Sequence, residues 1–513
     1  MTRNMLIASR GTFAKNLLSN WASLLCDVAV AFFLTPFIVQ TLGLALYGVW
    51  SLMNSLVGTM GIADFGIRGS TQRFINQALA RRDQQELNEV VNTSTSFLVL
   101  VSVLLLVIAW ILGLFFFDLF PRSPQELNGI IPVVLLLLSL NLAVTFVASV
   151  YTNVIMALER FEIVNGIRIS SLAIRAGGVI WALDAGHGFL GLVAASLAAS
   201  IYSLITTLVV AFHLHPPLRL GRRYLSYRRF STIWRYGIAV FMVRAAESSI
   251  FQADQIIIMI FLGPREVGIY SIVLMLIQYL RQLLHQITVS WIPSVMKAAG
   301  VGDLEGLRTV FLSHARLALL LGTLCYGGLA VYGDAFITLW MDSHLPETAL
   351  LAALLAGAEL FGLMASTSRP TLFGLEKART NVTFTFSYAA LNILLSISLV
   401  VVLDLGLFGV ALGTLLSSAV MRGLVHPFLA ARAIGIEPVH YYLSMGGRLI
   451  AATLLTGFLF TWVRDRLLTP MEWSDLSASV ALAVGLFVAT VPVIFYTPGE
   501  MLAAFRSIWR RPT

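Results

Sequence analysis

The sequence predicts an all-α, polytopic membrane protein of about fourteen transmembrane helices, and three observations carry that expectation. The 513 residues are 58% hydrophobic and 12% charged, with a mean hydropathy of +0.85, whereas soluble domains carry about 25% charged residues. Apolar runs of about 20 residues, enough to cross a bilayer, recur from Leu17 to Tyr496. They are too long for barrel strands and lack strict alternation, so each must be a helix that satisfies its own backbone groups. A water-soluble enzyme, a disordered chain and a disulfide scaffold are excluded. The two cysteines, Cys26 and Cys325, fall inside apolar runs, where a lone thiol packs as a small hydrophobe.

Taken in order, spans are expected near 17–41, 44–66, 93–117, 130–157, 166–184, 189–212, 236–262, 268–292, 309–333, 348–373, 382–403, 407–430, 447–464 and 476–497. If the N-terminus is cytoplasmic, the inside connections hold 23 of the 34 Lys and Arg, and the outside ones only Arg122, Arg265, Arg464 and Arg466. A bias this steep places both termini in the cytoplasm. The net charge of +8 then reflects orientation and anionic headgroups rather than nucleic acid. The first apolar stretch contains Asp27 and has no small-residue cleavage site, so it reads as a retained span rather than a signal peptide.

Landmarks repeat at nearly one offset. Leu42-Gly43 and Tyr47-Gly48-Val49-Trp50 are echoed 220 residues later by Leu262-Gly263 and Val267-Gly268-Ile269-Tyr270. Leu158-Glu159-Arg160 returns at 217 as Leu375-Glu376-Lys377, and Gly191 at 218 as Gly409. Gly191 with Ala195, and Gly409 with Gly413, are small-residue pairs suited to close helix packing. Six spans is an even number, so the copies run in parallel, as in transporters whose two bundles flank a central site. The expected domains are an N-terminal six-helix lobe (1–215), a basic cytoplasmic linker (216–235), a C-terminal six-helix lobe (236–432), and two further helices with a cytoplasmic tail (433–513).

Twelve ionisable residues fall within spans: Asp27, Asp64, Arg168, Arg175, Arg244, Glu247, Asp254, Arg281, Arg316, Glu359, Arg369 and Arg422. At roughly 2.5–3.5 kcal/mol each, exposure to lipid would cost on the order of 30 kcal/mol, above the 5–15 kcal/mol of typical net stability. They must face a bundle interior or a wet cavity. Arg168 and Arg175 are seven apart and share a helix face, as do Glu247 and Asp254, with Arg244 one turn from Glu247. Arg244 with Glu247 also reads as a neutralising pair, and Arg316, Arg369 and Arg422 lie close enough to the inner surface to snorkel. Arg175 and Arg281 are central and have no acid one turn away, which marks them as lining a substrate path. Seven Arg against five acids favour an anionic guest, and a guanidinium can fork onto phosphate oxygens. Asp27, and after it Glu247, Asp254 and Glu359, are candidates to carry a coupling proton or Na⁺, or else are hydrogen-bonded packing.

No G-x-x-x-x-G-K-[ST] is present, so nothing in the chain runs transport on ATP. Gly186, Gly188 and Gly191 spell G-x-G-x-x-G, but in a short turn between two membrane helices with no preceding strand. His213 and His215 lack further ligands for a metal. No cofactor, no metal and no catalytic residue is expected. The longest outside connection, about Asp334 to Glu347, leaves no room for an external catalytic domain.

At Thr35-Pro36-Phe37-Ile38, Leu42-Gly43, Tyr47-Gly48-Val49-Trp50, Asp64-Phe65-Gly66 and Arg73-Phe74, the chain resembles the Wzx-like polysaccharide (O-antigen) flippases of the multidrug/oligosaccharidyl-lipid/polysaccharide exporter superfamily. The resemblance implies a V-shaped transporter of the bacterial inner membrane. It would move a polyprenyl-diphosphate-linked oligosaccharide to the outer leaflet by alternating access, drawing on a proton or sodium gradient. Its partners would be that lipid-linked substrate, membrane lipids, and polysaccharide polymerase and assembly proteins. Cationic cavity residues carry over to Arg175 and Arg281 first, then Arg244 and Arg316, and an ion-coupling acid to Asp27. The rivals are a drug exporter of the same fold, disfavoured by the seven Arg within spans, and a membrane polymerase or ligase, disfavoured by the short outside connections.

Overall fold

The computed structural model describes residues 2–289 and 291–496; the side chains of 2–18, 239–240, 243–251, 287–289 and 378 lie outside the described residues, and with them the expected site residues Arg244 and Glu247. Among the described residues every regular element is helical, and twelve helices are long and apolar enough to cross a membrane. The chain divides into two compact units, Met1–Gly268 and Ile269–Thr513. The first holds α1 (Thr2–Leu42), α2 (Leu44–Met60), α3 (Ile67–Arg81), α4 (Gln84–Leu114), α5 (Ile131–Ala157), α6 (Phe161–Asp184), α7 (Gly188–Leu214), α8 (Tyr227–Phe261) and the start of α9 (Pro264–Val289). The second holds the rest of α9, then α10 (Leu304–Met341), α11 (Thr348–Gly374), α12 (Ala378–Val401), α13 (Gly406–Ala433), α14 (Pro438–Leu467) and α15 (Trp473–Phe495).

Two of the fourteen expected spans fall outside those twelve helices. α2 has only 17 residues, and the described apolar stretch of α8 is Gln252–Phe261. Helix ends differ from the hydropathy windows where a polar cap extends the helix past the apolar run. α10 starts at Leu304 rather than near 309 because Asp303 accepts the Gly306 N–H at 2.8 Å. α8 starts at Tyr227 rather than 236 because Ser226 Oγ accepts the Arg229 N–H at 3.3 Å.

The duplication is visible in the packing. α4 packs on α5, α6 on α7 and α5 on α7; in the second unit α10 packs on α11, α12 on α13 and α11 on α13. The same three pairings recur six spans on. The turns repeat as well: Glu159 and Glu376 are left-handed at φ 59° and 60°, as are Gly188 and Gly406 at 52° and 54°. A left-handed glutamate costs about 1–2 kcal/mol, so its presence in both copies is a retained feature of the turn. The small-residue pairs act as expected. A Cβ on Gly191 would stand 2.8 Å from that of Ala182, and one on Gly413 2.6 Å from Ser396 Oγ, so each closes its helix onto the neighbouring one.

Where α3, α4 and α5 meet, Ile75, Val91, Phe146, Val150 and Val154 are fully buried. The connection between α7 and α8 is strapped to the start of α4. Asn88 Oδ1 accepts the Arg219 N–H at 2.9 Å, Asn92 holds Arg219 O at 2.8 Å and the Gly221 N–H at 3.0 Å, and Thr93 accepts the Ser226 N–H at 3.1 Å. Arg229 then bridges Glu86 at 2.8 Å and Glu89 at 3.1 Å. His215 Nε2 pairs with Gln84 Oε1 at 2.7 Å, and burial pushes its imidazole below the ordinary histidine pKa.

Candidate functional site

Within the spans, the described residues gather charge at a place in each unit. In the first unit, α1 packs on α6, which brings Asp27 of α1 to the face of α6 that carries Arg168 and Arg175. The seven-residue spacing on α6 puts both guanidinium stems on that face. Arg168 Nη2 donates to Asp27 Oδ2 in a close ion pair. The pair borders a cavity of about 210 Å³ that Arg175 also lines, together with Asn54 of α2, Asn141 of α5, and Ser196 and Ser200 of α7. Asn141 Oδ1 is buried without a hydrogen-bond partner. Arg168 and Ser171 also border an adjoining cavity of about 190 Å³ with Thr152, Ser203 and Thr207. The Arg168 side chain is 59% exposed and that of Asp27 20%, so this is a wet pair.

In the second unit three helices converge on Glu359 of α11, whose side chain is 6% exposed. Arg422 of α13 forks onto it, Nη1 to Oε1 at 3.2 Å and Nη2 to Oε2 at 3.4 Å. Arg281 of α9 reaches the same Oε1 at 3.8 Å. Local sequence places Arg422. Pro427 lacks the N–H that would bond the carbonyl four residues back, at Gly423, and α13 runs as a wide π turn over Ala419–Val425. Gly362, one turn beyond Glu359 on α11, leaves the space the Arg422 guanidinium fills; a Cβ there would collide with it. Below the fork, His426 stacks on Phe384 at 3.9 Å and pairs with Asn381 Oδ1 at 3.0 Å.

Among the described residues each cluster brings two guanidiniums to one carboxylate, Arg168 and Arg175 to the cavity of Asp27, and Arg281 and Arg422 to Glu359. The expected site residues distribute as follows. Asp27 and Arg175 come together on the first cavity, and Arg281 and Glu359 meet in the second unit. Asp254 is buried on α8 beside Gln255, whose Nε2 donates to Ser51 Oγ at 3.1 Å. Arg316 is half-buried on α10, two residues after the buried His314 that stacks on Trp291. The side chains of Arg244 and Glu247 lie outside the described residues. Two residues of the clusters were not among the expected site residues. Arg168 shares its face with Arg175, a signal present in the spacing. Arg422 was expected to snorkel and instead turns inward to Glu359, for which Gly423 and Pro427 are the local signal. Asp64, counted among the charges of the spans, caps a turn: it accepts the Gly66 N–H at 2.9 Å and pairs with Arg68 at 2.6 Å.

Residues 13–298 match the family model described as "Polysaccharide biosynthesis protein". The chain is 23% identical to the "Uncharacterized membrane protein EpsK" of Bacillus subtilis over 88% of either sequence. It is also 23% identical to the "Probable low-salt glycan biosynthesis flippase Agl15" of Haloferax volcanii, covering 90% of this chain and 91% of that one. Among solved structures it superimposes on the lipid II flippase MurJ in an inward closed conformation with a TM-score of 0.70, covering 93% of this chain and 98% of that one at 13% identity, a likeness of fold.

Proposed function

The chain belongs to the polysaccharide biosynthesis protein family, and we propose that it flips a polyprenyl-diphosphate-linked oligosaccharide, an O-antigen or exopolysaccharide repeat unit, across the bacterial inner membrane. It is a multi-pass membrane transporter of the polysaccharide flippase type and not an enzyme. What supports the finer reading is the guanidinium-rich lining of each cluster, Arg175 near Asp27–Arg168 and Arg281 near Glu359–Arg422. Five donors in a planar fork match the oxygens of a diphosphate, and each stays charged away from water. A guanidinium-rich lining lowers the cost of bringing that headgroup into the bilayer, while the hydroxyl and amide groups of the first cavity offer hydrogen bonds to sugar. The polyprenyl tail remains in lipid.

In this reading Arg175 and Arg281 bind the headgroup first, with Arg244 and Arg316 as further cationic contacts. Asp27 is the leading carrier of a coupling proton or Na⁺, and Glu247, Asp254 and Glu359 are the other candidate acids. Both termini lie in the cytoplasm, and polymerase and assembly proteins receive the product at the outer leaflet. Deleting the gene in its host tests the function: lipid-linked repeat units of unaltered structure should accumulate in the inner leaflet. An altered covalent glycan structure would instead assign the chain to synthesis.

A further inference from the structure

We infer that the connection between α7 and α8 is a docking surface for anionic phospholipid headgroups, which Arg222, Arg223 and Arg228 bind while Leu220, Leu225 and Tyr227 reach the acyl boundary. The inference takes the cytoplasmic placement of this connection from the reading above and does not depend on what the chain transports.

Backbone and side chains of this segment have different roles. Its amide and carbonyl groups face the start of α4, where Asn88, Asn92 and Thr93 hold Arg219, Gly221 and Ser226. The side chains of Arg219, Arg222, Arg223 and Arg228 are exposed. Arg229 is the contrast, because it turns back to Glu86 and Glu89. Among the described residues the other four pair with no acid, and Arg223 lies over the Tyr224 ring at 4.8 Å. Large apolar side chains stand between them, Leu220 54% exposed, Leu225 48% and Tyr227 84%. A single exposed leucine is ordinary. Three such groups interleaved with unpaired arginines are the composition of an interfacial segment, cations at the phosphates and apolar groups beneath them.

The duplication supplies an internal control. Tyr224-Leu225-Ser226 returns 218 residues later as Tyr442-Leu443-Ser444. There Glu437, His440, Tyr441 and Gly446 stand at the places of Arg219, Arg222, Arg223 and Arg228. A connection into the next span is therefore built without these arginines, which leaves them for a contact outside the chain. Anionic lipid is the partner their setting favours. The segment joins two membrane helices, so it lies close to the headgroups, and each arginine within a Debye length adds to the attraction.

A bimane label at Leu225→Cys tests this in the full-length protein carrying Cys26→Ser and Cys325→Ser, with Tyr227→Cys as a second label site. The vesicles are symmetric phosphatidylcholine containing a lipid with a doxyl group just below its headgroup, so the outcome is independent of orientation. Doxyl phosphatidylglycerol should quench the label at about one-fifth or less of the concentration that doxyl phosphatidylcholine needs, the factor expected of one arginine near an anionic surface. High salt should erase the difference. Arg222→Gln/Arg223→Gln/Arg228→Gln should erase it too, whereas Arg222→Lys/Arg223→Lys/Arg228→Lys keeps the charge and should retain it. Equal quenching by the two lipids, a preference that survives the glutamine variant, or a label that neither lipid reaches overturns the inference and leaves the flippase reading standing. Relief of quenching by farnesyl diphosphate at concentrations below that of the phosphatidylglycerol assigns the surface to a diphosphate headgroup and overturns it as well.

Discussion

The two charged clusters have the same formula, two arginines and one acid, and opposite surroundings. Asp27–Arg168 sits on a cavity with the arginine 59% exposed, whereas Glu359 is 6% exposed and gripped from two helices. The charged residues of the two sets do not fall at matching positions in the duplication. What differs is how much each pair contributes to holding its unit together. A wet pair exchanges water for protein at little net gain, about 0–1 kcal/mol. A dry pair is costly to break from one side, because the remaining charge stays buried.

The largest expected effect follows from the dry cluster. Arg422→Ala leaves Glu359 with the single long contact to Arg281 and should destabilise the protein by about 3–5 kcal/mol, read as thermal unfolding in detergent. Arg168→Ala should cost no more than about 1 kcal/mol in the same assay. Equal losses would erase the distinction between the clusters. Gly362→Ala is expected to lie between, at about 1–3 kcal/mol, because the new Cβ forces the fork open.

The wet cluster should instead reveal itself in transport. Asp27→Asn keeps the shape and removes the charge, so the stability should stay within about 1 kcal/mol of the unaltered protein. Flipping driven by a proton or sodium gradient should fall about tenfold or more. A variant with full gradient-driven transport would remove Asp27 from the coupling role.

The smallest expected effect lies outside the membrane. His215 is pushed below its ordinary pKa by burial, so the folded state favours the neutral ring and the unfolded state binds the proton more readily. Its contribution is complete above the unfolded value and is lost as pH falls below about 6.5 toward the depressed folded value. His215→Gln should flatten that slope slightly in pH-dependent unfolding, and an unchanged slope would assign the acid sensitivity elsewhere.

Much of the fold is legible in the chain because bilayer thickness imposes a length on every span and the duplication repeats its turns. Glu159 and Glu376 were visible as one motif written twice, and the left-handed turn explains why it was kept. The site was less legible for a reason that Asp27 and Arg281 illustrate. Neither has an opposite charge one turn away on its own helix, and each has one on another: Arg168 across from α1, Glu359 across from α9. Helical spacing registers partners within a helix and is blind to those between helices. The inward aim of Arg422 depended on a π turn and on the space at Gly362, and a hydropathy window registers neither.

The most direct test of the anion-binding account is flipping in proteoliposomes of a polyprenyl-diphosphate-linked oligosaccharide, scored by its accessibility at the far leaflet. The Arg175→Gln/Arg281→Gln double variant, recovered folded and in normal amount, should translocate it at least about tenfold more slowly. Translocation at the unaltered rate would contradict the account.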